Sequence, residues 1–276
     1  MNSHIDISHY KLVISDLDGT ILESGQPIHP FTKEVLAKLP DLGIRFTLAS
    51  GRSLASLRPF AEELNIEMPL VLANGCIVQS LDGVIHHRTT MPVEVTRKVI
   101  EITDKENSDL VIFSDDRLFY KKMTDNIFRI FGKLNNSIYE VGSWNAIENQ
   151  LEQVNKFMII DWQSQENLKK LENIFESELS SQADYLRTNT NHLEVMPKGV
   201  TKATGLKQLV DGMGIRMDEI IAFGDFDNDA AMLAEVGLGV AVKNACDLAK
   251  QNADMIVGSC AENGPAVFLN QLINQQ

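Results

Sequence analysis

The stretch KLVISDLDGTILESG, Lys11 to Gly25, ends an apolar run on two aspartates one residue apart, Asp16 and Asp18, with Gly19 directly after them. A short run of this kind has the look of a strand buried on both faces of a parallel sheet. In open α/β sheets, ligands sit beyond the carboxyl ends of such strands. Residues i and i+2 of an extended chain project to the same side, so the pair can address one ligand while Gly19 lets the backbone turn away. Two carboxylates there can share a metal or divide nucleophilic and acid–base work. A polar strand end followed by an ordinary Asp-Gly turn also fits the stretch by itself, so the rest of the chain has to decide. A calcium loop does not fit, because its glycine at position 6 and glutamate at position 12 are replaced by Ile21 and Pro27. The later acidic run GDFDNDAAMLAEV fails the same test at Ala230 and Val236.

Outward from that strand, RFTLAS (Arg45 to Ser50) and PLVLAN (Pro69 to Asn74) repeat the apolar pattern. Between them, Leu54, Leu57, Ala61 and Leu64 draw one apolar stripe along a helix. Strand alternating with helix implies a parallel sheet with right-handed crossovers. The alternation returns late, with KATGLKQLVDGMG as a helix, EIIAFGD as a strand, DAAMLAEVG as a helix, and GLGVAV and ADMIV as strands. Between these halves the texture changes. DLVIFSDDRLFYKK and NKFMIIDW are candidate strands, and Leu168, Leu171, Phe175 and Leu179 line one side of a helix. The expected fold is therefore α/β, a doubly wound parallel-sheet (Rossmann-like) core carrying an inserted α+β domain. Residues 1–81 and 188–276 are assigned to the core and 82–187 to the insertion, a span large enough to be a domain.

The 276 residues carry 25 Lys+Arg against 38 Asp+Glu, a formal charge of -13. That balance argues against a nucleic-acid backbone or an anionic membrane as partner. An anionic substrate must then be held by a few local cations. Cys76, Cys246 and Cys260 are far apart and form no C-x-x-C pattern, so neither a disulfide framework nor a zinc site is expected. The N-terminus MNSHIDISHYK lacks a signal peptide's basic start and apolar middle, and no apolar run approaches a bilayer span. The expected location is the cytoplasm.

Four ordered segments, DLDGT, LASGR (Leu48 to Arg52), VTKATGL (Val200 to Leu206) and GDFDND, resemble the four motifs of the haloacid dehalogenase superfamily. The nearest likeness is to its Cof-like phosphatases, whose large α/β cap is inserted after the second motif. ANGCIV, GLGVAVKNA and NADMIV extend the resemblance over nearly the whole chain. It implies that Asp16 attacks phosphorus and that Asp18 protonates the leaving oxygen and then activates water. It implies Mg²⁺ on the Asp16 carboxylate, the Asp18 carbonyl and the Asp225 carboxylate, with Asp229 supporting the site. Lys202 matches the third-motif lysine and Ser50 the second-motif phosphate-binding residue, with exposed N–H groups at Gly51. Asn228 is a further phosphate contact, and Arg52 meets substrate or cap or else forms a surface ion pair. Alone, Lys202 would read as a solvated helix residue and Ser50 as a helix cap.

Asp227 reads as a turn residue, Lys198 as solvated, His86 and His87 as exposed, and Met196, Met232 and Leu233 as core. Lys243 and Pro265 depart from the family's usual turns. The implied function is a Mg²⁺-dependent phosphatase for small phosphomonoesters, sugar phosphates or phosphorylated cofactors, working through an aspartyl-phosphate. A sugar phosphomutase and a non-catalytic phospho-ligand-binding protein of the same fold are the alternatives. The insertion is expected to act as a lid that selects the leaving group, with Asp115, Asp116 and Arg117 the first residues to test. Substrate identity and oligomeric state stay open.

Overall fold

The computed structural model describes residues 5–132 and 137–275, with the side chain of Asn189 left aside. The first four and the last residue of the expected core, and 133–136 of the expected insertion, lie outside the described residues. The chain divides into two compact units, one of residues 1–51, 58–86 and 201–276, the other of 52–57 and 87–200.

The first unit begins with β1 (Leu12–Ser15), α1 (Pro30–Leu36), β2 (Arg45–Leu48) and α2 (Leu54–Glu63), the last of which the division crosses. It continues through β3 (Leu70–Leu72), β4 (Ile77–Gln79) and the start of β5 (Ile85–Arg88), which the division crosses after His86. These three form a small sheet of their own, while a single parallel bridge, Ala49 to Val71, links the end of β2 to β3.

The second unit contains α3 (Val93–Lys105), β6 (Asp109–Ser114), β7 (Arg117–Tyr120), α4 (Asp125–Phe131), β8 (Ile138–Glu140), β9 (Val154–Ile160), α5 (Gln165–Leu179), β10 (Ala183–Asn189) and β11 (His192–Pro197). Its six strands run β10-β11-β9-β6-β7-β8, with only β7–β8 parallel among the described pairings. Period-2 alternation sends Leu110 and Ile112 to one face and Val111 and Phe113 to the other. The first face is covered by α3, α5 and the turn segment Trp144–Gln153, the second by α4. Leu168, Leu171, Phe175 and Leu179 are the buried stripe of α5, as their spacing predicts. Both tryptophans, Trp144 and Trp162, belong to this unit.

Two charges are buried in this second sheet. Lys156 Nζ lies 2.7 Å from Glu194 Oε2, with side chains 0% and 3% exposed, and 4.4 Å from the Phe113 ring centroid. Asp115, at φ +54° in the β6–β7 turn, accepts from Arg88 at 2.6 Å and donates its N–H to Asn155 at 2.6 Å.

The first unit resumes with α6 (Lys202–Val210), β12 (Ile220–Gly224), α7 (Ala230–Glu235), β13 (Leu238–Val242), α8 (Asp247–Asn252), β14 (Met255–Val257) and α9 (Gly264–Ile273). Its main sheet is parallel throughout, in the order β14-β13-β12-β1-β2. Val13, Ile221, Phe223 and Val240 project to one face, where α1 and α9 add Val35, Leu36, Ala266, Leu269 and Leu272. Helix α7 packs on β12 and β13. The strand order reverses between β1 and β12, which is where a ligand crevice opens in a doubly wound sheet.

The junctions fall at 86/87 and 200/201, later than the 81/82 and 187/188 read from sequence. The shift has a plain cause. Residues 192–197 form β11, paired with β9 and β10 of the second sheet, and a short apolar-alternating strand does not itself reveal which sheet it joins. Among the described residues, no helix is long and apolar enough to cross a membrane.

Candidate active site

Strand β1 ends at Ser15, and the N–H of Asp16 still donates to Phe223 of β12, at 2.9 Å. Asp16 is thus fixed at the switch point by the sheet itself. It is buried, 6% exposed, and accepts from Lys202 Nζ at 2.7 Å. Lys202 is 0% exposed and bonds Asp229 Oδ1 as well, at 2.6 Å. It opens α6, where Thr201 and Thr204 form a reciprocal capping box. The helix start is pressed against the Ala73–Gly75 turn so closely that a Cβ on Gly75 (φ +102°) would lie 2.0 Å from Thr201 O.

Asp229 spends both carboxylate oxygens inside the protein. Oδ1 takes Lys202, and Oδ2 accepts the N–H groups of Asp225 and Phe226, each at 3.0 Å. Asp225 follows β12 and receives the Thr20 hydroxyl at 2.9 Å. Its carboxylate rests against the Cα of Gly19 (φ +83°), where a Cβ would sit 2.4 Å from Oδ2. Carboxylate oxygens of Asp16, Asp225 and Asp229 lie within 4.8 Å of one another.

Three carboxylates against one ammonium leave a formal excess of two negative charges. Burial pushes the Asp16 carboxyl well above the ordinary range; Lys202 opposes this, and Asp229 and Asp225 add to it. Burial, then Asp229, raise Asp225 to about 6. Burial opposes the charge on Lys202, yet Asp16 and Asp229 outweigh it and hold the ammonium protonated. An all-oxygen cluster with this excess fits a hard divalent cation such as Mg²⁺. Asp16, Asp225 and Asp229 are the residues that would hold it, Asp229 while its oxygens also accept Lys202 and the two N–H groups.

The haloacid dehalogenase-like hydrolase family matches residues 13–269. The chain belongs to that family. It is 28% identical over 267 residues, 96% of both chains, to an HMP-PP phosphatase of Yersinia pseudotuberculosis. Among solved structures it is similar to a haloacid dehalogenase-like hydrolase from Bacteroides thetaiotaomicron, with TM-score 0.84, 26% identity and coverage of 95% and 99% of the two chains. A Thermotoga maritima protein gives TM-score 0.81, 26% identity and coverage of 95% and 97%. The expected family and the doubly wound core with an inserted α+β domain therefore stand. The expected phosphomonoester hydrolase class agrees with the name of the Yersinia relative.

In this haloacid dehalogenase-like hydrolase the sequence-predicted residues fall into groups. Asp16, Lys202, Asp225 and Asp229 converge. The Asp18 side chain is exposed and outside the carboxylate cluster. The same-side argument for the two aspartates does not apply, because β1 stops at Ser15 and the chain turns, with Leu22 N–H on Leu17 O and Gly19 N–H on Leu22 O.

Ser50 is buried, donates its N–H to Val71 O at 2.8 Å and accepts Asn74 N–H at 3.0 Å. Asn228 donates to Asn74 Oδ1 at 2.9 Å, and a Cβ on Gly51 would come within 3.0 Å of that same oxygen. Ser50, Gly51 and Asn228 thus meet around Asn74. Arg52 belongs to the second unit and donates to Ser56 O at 3.2 Å. Lys198, expected to be solvated, is exposed and paired with Asp184 at 2.5 Å. His86 is exposed, and Met196, Met232 and Leu233 are core, as expected.

Sequence reasoning missed Thr20 and Asn74 as parts of the site. Thr20 gave no local signal, since its partner Asp225 is 205 positions away. Asn74 gave one. An Asn-Gly pair after an apolar run marks a turn with positive φ, and Asn74 has φ +57°.

Proposed function

We propose that this hydrolase is a Mg²⁺-dependent phosphatase of small phosphomonoesters, sugar phosphates or phosphorylated cofactors, working through an aspartyl-phosphate on Asp16. The observation that carries the reading is the Lys202 ammonium, buried and bonded to Asp16 at 2.7 Å and Asp229 at 2.6 Å beside the Asp225 carboxylate.

Asp16 attacks phosphorus and the ester P–O bond breaks. Asp18, on the exposed side of the same loop, gives its proton to the departing oxygen and becomes the base. It then takes a proton from water as that water attacks phosphorus, freeing Asp16 and inorganic phosphate. A carboxylate ~4 Å from a phosphate dianion is repelled by about 4 kcal/mol per charge pair at an effective dielectric of 20. Bound Mg²⁺ would supply charge neutralisation between them. Lys202 and the N–H of Gly51, which follows Ser50, add fixed positive potential for the phosphoryl oxygens. The mechanism, the metal and a cytoplasmic site of action belong to this proposal, as does action on compounds such as the HMP-PP of the relative's name.

The test is phosphate release across sugar phosphates, phosphorylated cofactors and HMP-PP, with Mg²⁺ and with chelator. Release that stops with chelator and returns with Mg²⁺ is expected. Full turnover without a divalent cation would overturn the mechanism, and an isomeric phosphate in place of free phosphate would identify a mutase.

A further inference from the structure

The loop between β13 and α8 grips both segments that carry the proposed metal ligands. Asn244 Nδ2 donates to Gly19 O at 2.8 Å, and Asn244 Oδ1 accepts the N–H of Cys260 at 2.8 Å. Two residues on, the N–H of Cys246 donates to Asp225 O, also at 2.8 Å. Gly19 is the residue whose Cα touches the Asp225 carboxylate, and Thr20 beside it bonds that carboxylate. One loop therefore holds the Asp16–Thr20 turn by a side chain and the Asp225 turn by its own backbone.

We infer that Asn244 is a positioning residue that sets the separation of these two turns and hence the affinity of the site for Mg²⁺. The inference rests on the metal reading above. The hydrogen bonds of Asn244 go to Gly19 and Cys260, not to the carboxylates. It fixes the carbonyl of Gly19, and with it the peptide that joins Gly19 to Thr20. Released, the turn gains freedom that cation binding must remove again, so the cost falls on metal affinity. Once the cation is bound, the carboxylates themselves hold the turns. Asn244 is itself exposed, so its replacement leaves no cavity and no buried polar group of its own behind.

The experiment is Mg²⁺ binding by calorimetry to the full-length wild type, Asn244→Ala and the near-isosteric Asn244→Leu, without substrate. Both variants are expected to bind Mg²⁺ at least about threefold more weakly and to show a smaller Mg²⁺-induced rise in melting temperature. Their kcat at saturating Mg²⁺ should fall by a smaller factor than their affinity does. In wild type, Mg²⁺ should slow hydrogen exchange at the amides of Cys246 and Cys260, a readout that needs no variant. Unchanged affinity in both variants, or unchanged exchange at both amides, would overturn the role of Asn244 while leaving the metal reading intact. A wild type that binds no Mg²⁺ would overturn both.

Discussion

Among the described residues each unit buries one lysine completely, and the two lysines do different things. Lys156, in the second unit, meets one carboxylate, Glu194, and one aromatic face, Phe113. Its charge is balanced locally. Lys202, in the first unit, meets Asp16 and Asp229 with Asp225 close by, and the cluster stays two charges short of neutral. A balanced buried pair is a structural solution whose desolvation cost the Coulomb term offsets. An unbalanced one is a demand for a further cation. Burial alone does not mark a functional lysine; the sum of the charges around it does.

The largest effect that can break this comparison is on turnover. Asp16→Asn should lower phosphate release by at least about 10⁴-fold, because the attacking oxygen is gone, with no loss of fold since Lys202 keeps Asp229. Steady-state assays and far-ultraviolet circular dichroism check the two halves of that statement. Near-normal turnover would remove the nucleophile assignment and with it the contrast.

Lys156→Met should instead cost stability, about 3–5 kcal/mol, by removing the buried ammonium that Glu194 meets at 2.7 Å. Both tryptophans lie in the second unit, so denaturation followed by their fluorescence reads this unit selectively. Adding Glu194→Leu should recover most of the loss. A neutral single variant would show that Lys156 is not the structural half of the comparison.

Gly19→Ala should act between these extremes, raising the Mg²⁺ concentration for half-maximal activity about tenfold. A Cβ there would strain a φ of +83° and press on Asp225 at 2.4 Å. A Mg²⁺ titration of phosphate release that overlays wild type would refute the contact.

The smallest effects are two opposed pH slopes. In metal-free protein Asp225 is raised to about 6 by burial and Asp229. Its contribution to stability is complete below about pH 4 and is lost as pH rises through about 6. Asp161 of the second unit runs the other way. Burial pushes its carboxyl up, but hydrogen bonds from Asn167 and the N–H groups of Gln163 and Ser164 outweigh this and lower it. Its contribution is present above about pH 4 and is lost as pH falls below that. Melting curves from pH 3 to 7, read by tryptophan fluorescence and by circular dichroism, should separate the two, and Mg²⁺ should remove the first slope.

What the sequence disclosed follows the range of the forces involved. The strands around Val13, Phe46 and Ile221 and the stripe of α5 were legible because they rest on local periodicity. The β11 strand was misplaced because sheet membership is a long-range choice. Asp16 and Asp225 stood out as acidic strand ends, whereas the burial of Lys202 could not be read from its neighbours in the chain. Thr20 and Asn244 stayed silent for the same reason, since each acts on a segment roughly two hundred positions away.

The interrupted core also sets a schedule for biosynthesis. β1 pairs with β12, and Thr20 must find Asp225 205 positions later. At ~5–20 residues per second, the ribosome takes about 10–40 s to make that interval. Through that time β1 and β2 are complete but lack β12, and their apolar strands offer an open edge. The inserted unit, nearly continuous from residue 87 to 200, is finished within the same interval. Its synthesis delays closure of the sheet that carries Asp16, so the nascent chain is most prone to aggregate before β12 leaves the exit tunnel.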